Sequence, residues 1–487
     1  MLMAGMVIAG DAGAADDVAA RAMKLYEKHH YEEAARLLRP ELAAMDGSRQ
    51  GAASLVLGMI HLGNARLYRE LHQTAMGIEL NYLILLSKQK TGASSRYVDF
   101  YLGQALVEAG RPAEGITYLR RFAEHTTQAS ARSFAEIEMG IAYSRQKQGQ
   151  KAAQIWSAMD MSKPEIKAAL AGAYAAAGVH EQKPVSLADA AMNEAKMQRY
   201  TPSMRMIRNV LRAYSQGGAP EKALELLNAN DFRDASHVED LGSSKMISFY
   251  DLSLLDDMAR THLNAAIAHL ELARRDTKSG VTATYYLADA YLQQGNTELS
   301  LRAVSAFLAQ PQIPSKYKDS AQVFQASAQN KAGKQSEARA IWQTLAEKAA
   351  DDPSLLAEVM LACVRAKSDC EKLEKLALSS MEKGEGRRFF PLSAALGKYY
   401  FLQKDYASAE LYMEAGRDKA YKNKIEVNDP VMLAGLADAY YRNKKFSETL
   451  EIYFEIGKQY PVVRQIQEAM QGIYAMEQQS AGDVKIF

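Results

Sequence analysis

The 487-residue sequence predicts an all-α fold, a solenoid of antiparallel helical hairpins. Three observations carry this. Proline is scarce, 12 in the whole chain, while alanine and other strong helix formers run throughout, so helical segments go unbroken. Turn signals return about every 35–40 residues, the mark of a repeat array and not of a few unrelated globular domains. Within each period, apolar residues fall at helical spacing, with a small residue on each of two successive helices. Hydrophobic residues at 48% and charged residues at 24% exclude a disordered chain.

Residues 1–15, MLMAGMVIAGDAGAA, precede Asp16-Asp17. The run Leu2 to Ala9 is apolar but far too short to span a bilayer. Ala12-Gly13-Ala14 followed by Ala15 has the small-x-small form of a signal-peptidase site, although a positive n-region is missing. We read 1–15 as the remnant of an export signal, so the expected compartment is periplasmic or otherwise exported. The alternative is an apolar N-terminus on a cytoplasmic protein. Leu2-Met3-Ala4-Gly5 resembles a lipobox, but Met6 stands where the lipidated Cys would be. Nothing later is long and apolar enough for a membrane span.

The repeating elements then follow in order. Residues 18–41 supply Ala22, Leu25, Tyr31, Ala34 and Leu38, and 97–126 supply Leu102-Gly103, Leu106, Pro112, Gly115 and Leu119. In 135–164 the set is Met139-Gly140, Tyr143, Ala152, Trp156 and Pro164; in 205–230 it is Val210-Leu211, Tyr214, Gly218, Ala223 and Leu227. Residues 282–312 give Leu287-Ala288, Tyr291, Gly295, Ser300 and Val304. The match in 320–353 is weaker, with Gln325-Ala326, Gly333, Ala338 and Trp342, and 391–424 gives Leu396-Gly397, Tyr400, Tyr406, Ala409 and Met413. Three zones, 46–92, 179–202 and 231–278, fit poorly and are expected to be non-standard hairpins. The polar run 230–244 carries Gly and Ser, which places a loop or break at 231–250, between solenoid halves at 16–230 and 251–479. Residues 462–479 are rich in Gln and Glu and read as the capping helix an end repeat needs, with 480–487 as a tail.

The clearest unit is 430–461, PVMLAGLADAYYRNKKFSETLEIYFEIGKQYP. Ala437 and Thr449 are expected to face each other across a hairpin, with Leu436, Tyr440, Phe446 and Tyr453 filling the space around them, and Pro461 closes the unit. This order of Leu, small, Tyr, aromatic, small, aromatic and Pro resembles the tetratricopeptide repeat family, as found in exported bacterial proteins. The resemblance covers most of residues 17–479; each unit alone is degenerate, and the shared register is the specific part. It implies roughly eleven hairpins wound into a right-handed superhelix, whose first helices line a concave groove that holds a partner protein or peptide. Carried over position by position, the groove residues it implies are Tyr97, Tyr101, Gln104 and Glu108; Tyr285, Tyr286, Asp289 and Gln293; Lys398 and Phe401; and Asp438, Tyr441 and Arg442. Tyr143, Tyr291, Tyr400 and Tyr440 fall instead in the hairpin seam, where the repeat demands an aromatic. Changing Tyr101 or Tyr286 is accordingly expected to weaken binding and leave melting nearly intact.

The residues give little footing for catalysis. There is no His-Glu-x-x-His helix, no glycine-rich phosphate loop ending in Lys-Ser/Thr and no Gly-x-Ser-x-Gly elbow. Asp256-Asp257 and Asp351-Asp352 are adjacent pairs that diverge on a helix or cap, and Asp351-Asp352-Pro353-Ser354 reads as a helix start. No metal and no cofactor are expected. Two cysteines exclude a disulfide-dense scaffold and a four-cysteine zinc site. Cys363 and Cys370 flank an expected turn that can bring their Cα atoms to roughly 5–6 Å, so they form either a disulfide clamp in an exported protein or two buried thiols. A net charge of +1 excludes bulk electrostatic capture of nucleic acid or of an anionic membrane. The expected function is a non-catalytic protein–protein scaffold or adaptor, placed in the periplasm by the export reading, supporting assembly of a cell-envelope or surface/export complex; that last step is fold-level analogy. The alternatives are a cytosolic regulator that binds a peptide or chaperone tail, and a carbohydrate-handling enzyme on a helical toroid, which would need two carboxylates facing one cavity.

Overall fold

A computed structural model of the chain describes residues 14–28, 30–42, 47–88, 94–179, 182–229, 237–240, 246–249, 253–311, 313, 315–368, 370–383, 390–422, 430–458, 460 and 463–483. The export-signal reading at 1–15 therefore lies outside the described residues, except that Ala14 and Ala15 open the helix Ala14–Glu27. Helices make up almost all of what is described, as expected. The one exception is a two-stranded antiparallel ribbon inside the expected loop at 231–250, His237–Asp240 against Met246–Phe249, with His237 opposite Phe249.

Two compact units form, and neither is a contiguous half of the chain. One holds residues 1–67 and 262–452, the other 68–261 and 453–487. The halves expected at 16–230 and 251–479 are thus not the units of the fold. In the first unit the hairpins are Ala14–Glu27 with Tyr31–Leu42, Gly280–Gln294 with Thr297–Leu308, Ser315–Lys331 with Gln335–Lys348, Pro353–Arg365 with Glu371–Glu382, and Phe390–Leu402 with Tyr406–Lys422; Pro430–Arg442 follows. In the second they are Ser94–Glu108 with Pro112–His125, Ala129–Arg145 with Gly149–Ser157, Pro164–Ala176 with Lys183–Met197, and Met204–Gln216 with Pro220–Ala229. In both units a first helix packs on its own second helix and also on the first helix of the next hairpin. That is the nearest-neighbour stacking by which a hairpin buries the face it cannot cover alone.

The seams are built as the sequence foretold. Thr449 is fully buried, its hydroxyl donating to Lys445 O at 2.8 Å and lying 3.5 Å from the carbonyl of Ala437 across the seam; Ser300 donates to the carbonyl of Ala288 at 2.7 Å. A Cβ added to Gly103 would lie 2.7 Å from Leu119, and one on Gly397 would collide with Met413. Glycine at these positions lets two helix backbones approach. Trp156 covers Gly140 and donates its indole N–H to Ile137 O at 3.2 Å. The turns repeat as well. Gly110, Gly178, Gly218, Gly295 and Gly333 take positive φ just past a helix end, and Lys147, Lys367, Lys404 and Lys444 take the same conformation at the equivalent places. Each is followed by an amide that reaches back to the carbonyl five residues before it, as Arg111 does to Leu106 and Lys445 does to Tyr440.

Seam tyrosines add a bond between neighbouring hairpins. Tyr214, Tyr400 and Tyr440 each donate a hydroxyl to a carboxylate on the second helix of the preceding hairpin: Asp189 at 2.8 Å, Glu374 at 2.7 Å and Glu414 at 2.5 Å. Tyr291 does the same to Glu271 on the helix Ser253–Ala273, at 2.5 Å. Partial burial, then the carboxylate partner, pushes the Tyr291 hydroxyl up to about 12.

The poorly fitting zone 46–92 is not a hairpin. It holds one uninterrupted helix, Gly47–Lys88, whose first part (to Leu67) belongs to the first unit and whose remainder belongs to the second. No proline interrupts it, and its glycines are packing sites and not turns: a Cβ on Gly58 would meet Leu270, and one on Gly63 would meet the Tyr31 ring. Every residue from Ala53 to Ala65 is buried, so this stretch is covered all round, as a core helix is. Zone 231–278 likewise yields the ribbon and a single helix, Ser253–Ala273, whereas 179–202 supplies an ordinary second helix, Lys183–Met197. Pro430–Arg442 with Phe446–Gly457 is the tenth two-helix hairpin among the described residues, and Gly47–Lys88, Ser253–Ala273 and Arg464–Asp483 stand as single helices.

The last helix runs Arg464–Asp483, beyond the expected 462–479. Ile466, Ala469, Met470 and Ile473 are buried, Gln467 donates to Tyr453 O at 2.7 Å, and Gly472 lies against the Tyr82 ring. It therefore packs in the second unit on the later part of the long helix.

Candidate functional site

In the second unit, the first helices Ser94–Glu108, Ala129–Arg145 and Met204–Gln216 and the second helix Pro112–His125 enclose an aromatic cleft of about 60 Å³. Phe100, Tyr101, Phe122 and Phe134 form its buried floor, while Tyr97 and Arg205 are half-buried at its side and Gln128 and Ser130 are exposed at its rim. The rings hold one another: Phe100 lies 5.2 Å from Phe122 and edge-on to Tyr101 at 5.1 Å, and Tyr97 is 5.9 Å from Phe122. Arg205 lies over the Phe134 ring at 4.8 Å and donates to the Tyr101 hydroxyl at 3.2 Å. A smaller hollow of about 20 Å³ continues past Arg205 to Gln104, Glu138, Arg208 and Asn209, where Gln104 donates to Glu138 at 2.9 Å. Flat rings, a planar cation and side-chain amides in one depression offer stacking, cation–π contact and hydrogen bonds to an extended chain laid across it.

Four of the groove residues implied by the resemblance lie on Ser94–Glu108. Tyr97, Tyr101 and Gln104 line the two hollows, but Tyr101 is buried at 5% exposure and belongs to the floor. Its truncation would disturb packing, which corrects the expectation that melting would be left nearly intact. Glu108 accepts from Arg145 at 2.6 Å and lies 3.8 Å from Arg212, so it is part of an ion-pair network and not of the cleft.

The Gly280–Gln294 set is covered by the protein itself. Asp289 is buried, pairs with Arg66 of the long helix and accepts from Gln293 at 2.9 Å. Tyr286 faces Tyr26 and Arg66, and burial pushes its hydroxyl well above the usual tyrosine value. Tyr285 packs against Tyr286, Phe307, Tyr317 and Phe324. At Asp289 and Tyr286, the first-helix face expected to meet a partner is occupied by residues of the chain's own N-terminal region. Lys398 lies over the Phe401 ring at 5.7 Å; Asp438 and Arg442 face each other at 3.6 Å; and Tyr441 is buried against Phe446. The structure does not gather these with the cleft.

Phe100, Phe122, Phe134 and Arg205 are the residues that position-by-position transfer overlooked. Phe134 and Arg205 sit on Ala129–Arg145 and Met204–Gln216, helices in register from which the resemblance implies no groove residue. Among the described residues no group of three or more His, Cys, Asp or Glu side chains is arranged to hold a metal ion. No described helix is long and apolar enough to cross a membrane. Cys363 and Cys370 are joined as a disulfide across the turn of their hairpin, with Cα atoms 6.0 Å apart.

No family model matches the chain, and no curated protein matches it. Among solved structures it is similar to the APC/C hetero-tetramer Cut9–Hcn1, at 13% identity over 95% of this chain and 91% of that one, with a TM-score of 0.29. It is similar to the tetratricopeptide domain of P58(IPK), at 14% identity over 72% and 98%, with a TM-score of 0.20. It is also similar to the pentatricopeptide repeat protein PPR10 from maize, at 11% identity over 97% and 72%, with a TM-score of 0.26. The hairpins are tetratricopeptide-like in their own right: small residues meet across each seam, bulky ones lock the angle, and first helix stacks on first helix.

Proposed function

We propose that this protein is a non-catalytic adaptor that holds an extended segment of a partner protein in the Tyr97–Phe134–Arg205 cleft. The observation that carries this is the cleft itself: four buried rings beneath a half-buried arginine, with Phe122 on the second helix Pro112–His125 and the other rings and the arginine on first helices. Aromatic and arginine side chains over a desolvated floor are the residue types that dominate binding energy at protein interfaces. The partner is read as protein and not nucleic acid, in keeping with a net charge of +1. An exported location and a role in assembling a cell-envelope complex complete the proposal. They are supported by the apolar N-terminal stretch with its small-x-small site and by the Cys363–Cys370 pairing, which an oxidising compartment would preserve.

The test is a photo-crosslinking residue at Ser130 in cells, followed by affinity measurement with the captured protein. Arg205→Ala and Tyr97→Ala should each weaken binding by roughly tenfold or more, with melting little changed. Equal affinity in both variants would remove the cleft from the interface, and turnover of a glycan by the pure protein would replace the adaptor reading. Sequencing the mature N-terminus tests the location: a start at Ala15 or Asp16 means export.

A further inference from the structure

Within the first unit, three imidazoles meet where the long helix packs on Ser253–Ala273. His61 and His262 are buried at 0% and 2% exposure, and their Nδ1 atoms are 2.8 Å apart. One of them must donate and the other accept, so the bond needs at least one neutral ring. His269 stacks parallel to His61, with ring centroids 5.6 Å apart. Nε2 of His61 and Nδ1 of His269 are buried with no hydrogen-bond partner among the described residues.

The surrounding charges do not favour a proton here. From Tyr31–Leu42 the group that acts on the cluster is Arg39, a cation. On the long helix, Arg66 is turned to Asp289 of Gly280–Gln294. On Ser253–Ala273, Glu271 is engaged by Tyr291, and Asp276 just beyond it accepts from the amide of Ser279 at 2.8 Å. Burial, reinforced by Arg39, lowers His262 to about 3 and His269 to about 4; burial and the two neighbouring imidazoles hold His61 well below its usual value.

We propose that His61, His262 and His269 form an acid-sensitive latch, which holds the first part of the long helix against Ser253–Ala273 while neutral and releases it on protonation. Release would withdraw Arg66 from Asp289 and uncover Tyr286, which the chain's own Tyr26 and Arg66 now face. The direction follows from linkage. A histidine whose folded value is depressed contributes stability that is present above its unfolded value, near 6.5, and is lost as pH falls toward the folded value. The latch therefore weakens from about pH 6.5 down to about pH 4 for His269 and about pH 3 for His262.

Hydrogen–deuterium exchange on the full chain tests this, with protection factors corrected for the intrinsic pH dependence of exchange. From about pH 7.5 to about pH 5.5, amides in 53–67 and 262–273 should lose protection roughly tenfold for each histidine that takes up a proton on opening. Amides in 355–364, inside the same unit, should hold. His262→Gln should reduce the slope by one proton. If that variant does not fold, His269→Gln, which changes a half-buried ring, should still reduce the slope by one proton. Protection that does not change with pH, or that falls in parallel across the whole unit, would overturn the proposal.

Discussion

Arg212 and Asp257 are both almost wholly buried in the second unit and share a 3.2 Å bond. Asp257 also accepts from Gln216 at 2.7 Å and Ser215 at 3.4 Å. A buried pair of this kind adds little over an apolar pair, but removing one partner strands the other charge in a low-dielectric interior. Arg212→Ala is therefore expected to destabilise the fold by about 3–5 kcal/mol, read by chemical denaturation; a loss near zero would mean that water reaches Asp257. Nothing in the sequence marks this pair. Arg212 lies in a striped helix and Asp257 beside another acid, and only packing turns them toward each other. Gly103, Gly140 and Ala437 were legible for the opposite reason, since a small residue at a fixed place in a repeating stripe has one physical use.

At the scale of elements, the hairpin is a turn and a seam used over and over. Glycine ends five of the helices in the left-handed conformation at no steric cost, whereas Lys444 does so at φ 63° with a side chain that pays for the strain. Lys444→Gly should raise stability by about 1 kcal/mol, visible as a higher melting temperature. A lower one would show that the lysine side chain contributes more than its backbone strain costs. A glycine turn announces its left-handed residue in the sequence, whereas the turns expected between Cys363 and Cys370 and between Ala437 and Thr449 do not mark Lys367 or Lys444 for that role, because lysine is ordinary on any exposed surface. The long helix escaped for a related reason: its buried glycines resemble turn signals until Leu270 and Tyr31 are seen lying against Gly58 and Gly63.

For the whole molecule, each compact unit is completed by a segment distant in sequence. Residues 1–67 join 262–452, and residues 453–487 join 68–261. Stacking of neighbours alone would not require this, so the last helix is a structural part of its unit and not simply a polar cap. A Cβ on Gly472 would come within 2.5 Å of the Tyr82 ring. Gly472→Val should lift the helix from residues 68–88, at roughly 1–3 kcal/mol of overpacking. Limited proteolysis should then cut within 464–483 first, while cleavage no faster than in the parent protein would place the seal elsewhere.

Local pattern by itself determined the all-α class, the hairpin register, the small-against-large seams and the spacing of Cys363 and Cys370. These depend on residues within one hairpin or its neighbour, whose geometry helical periodicity dictates. Tertiary structure alone decided which faces stay open. Whether Tyr286 meets a partner or the chain's own Tyr26 and Arg66, and whether His61 finds His262, depends on where segments some two hundred residues apart come to rest. No periodicity encodes that, because many placements bury the same apolar stripe and only packing of the assembled unit selects one.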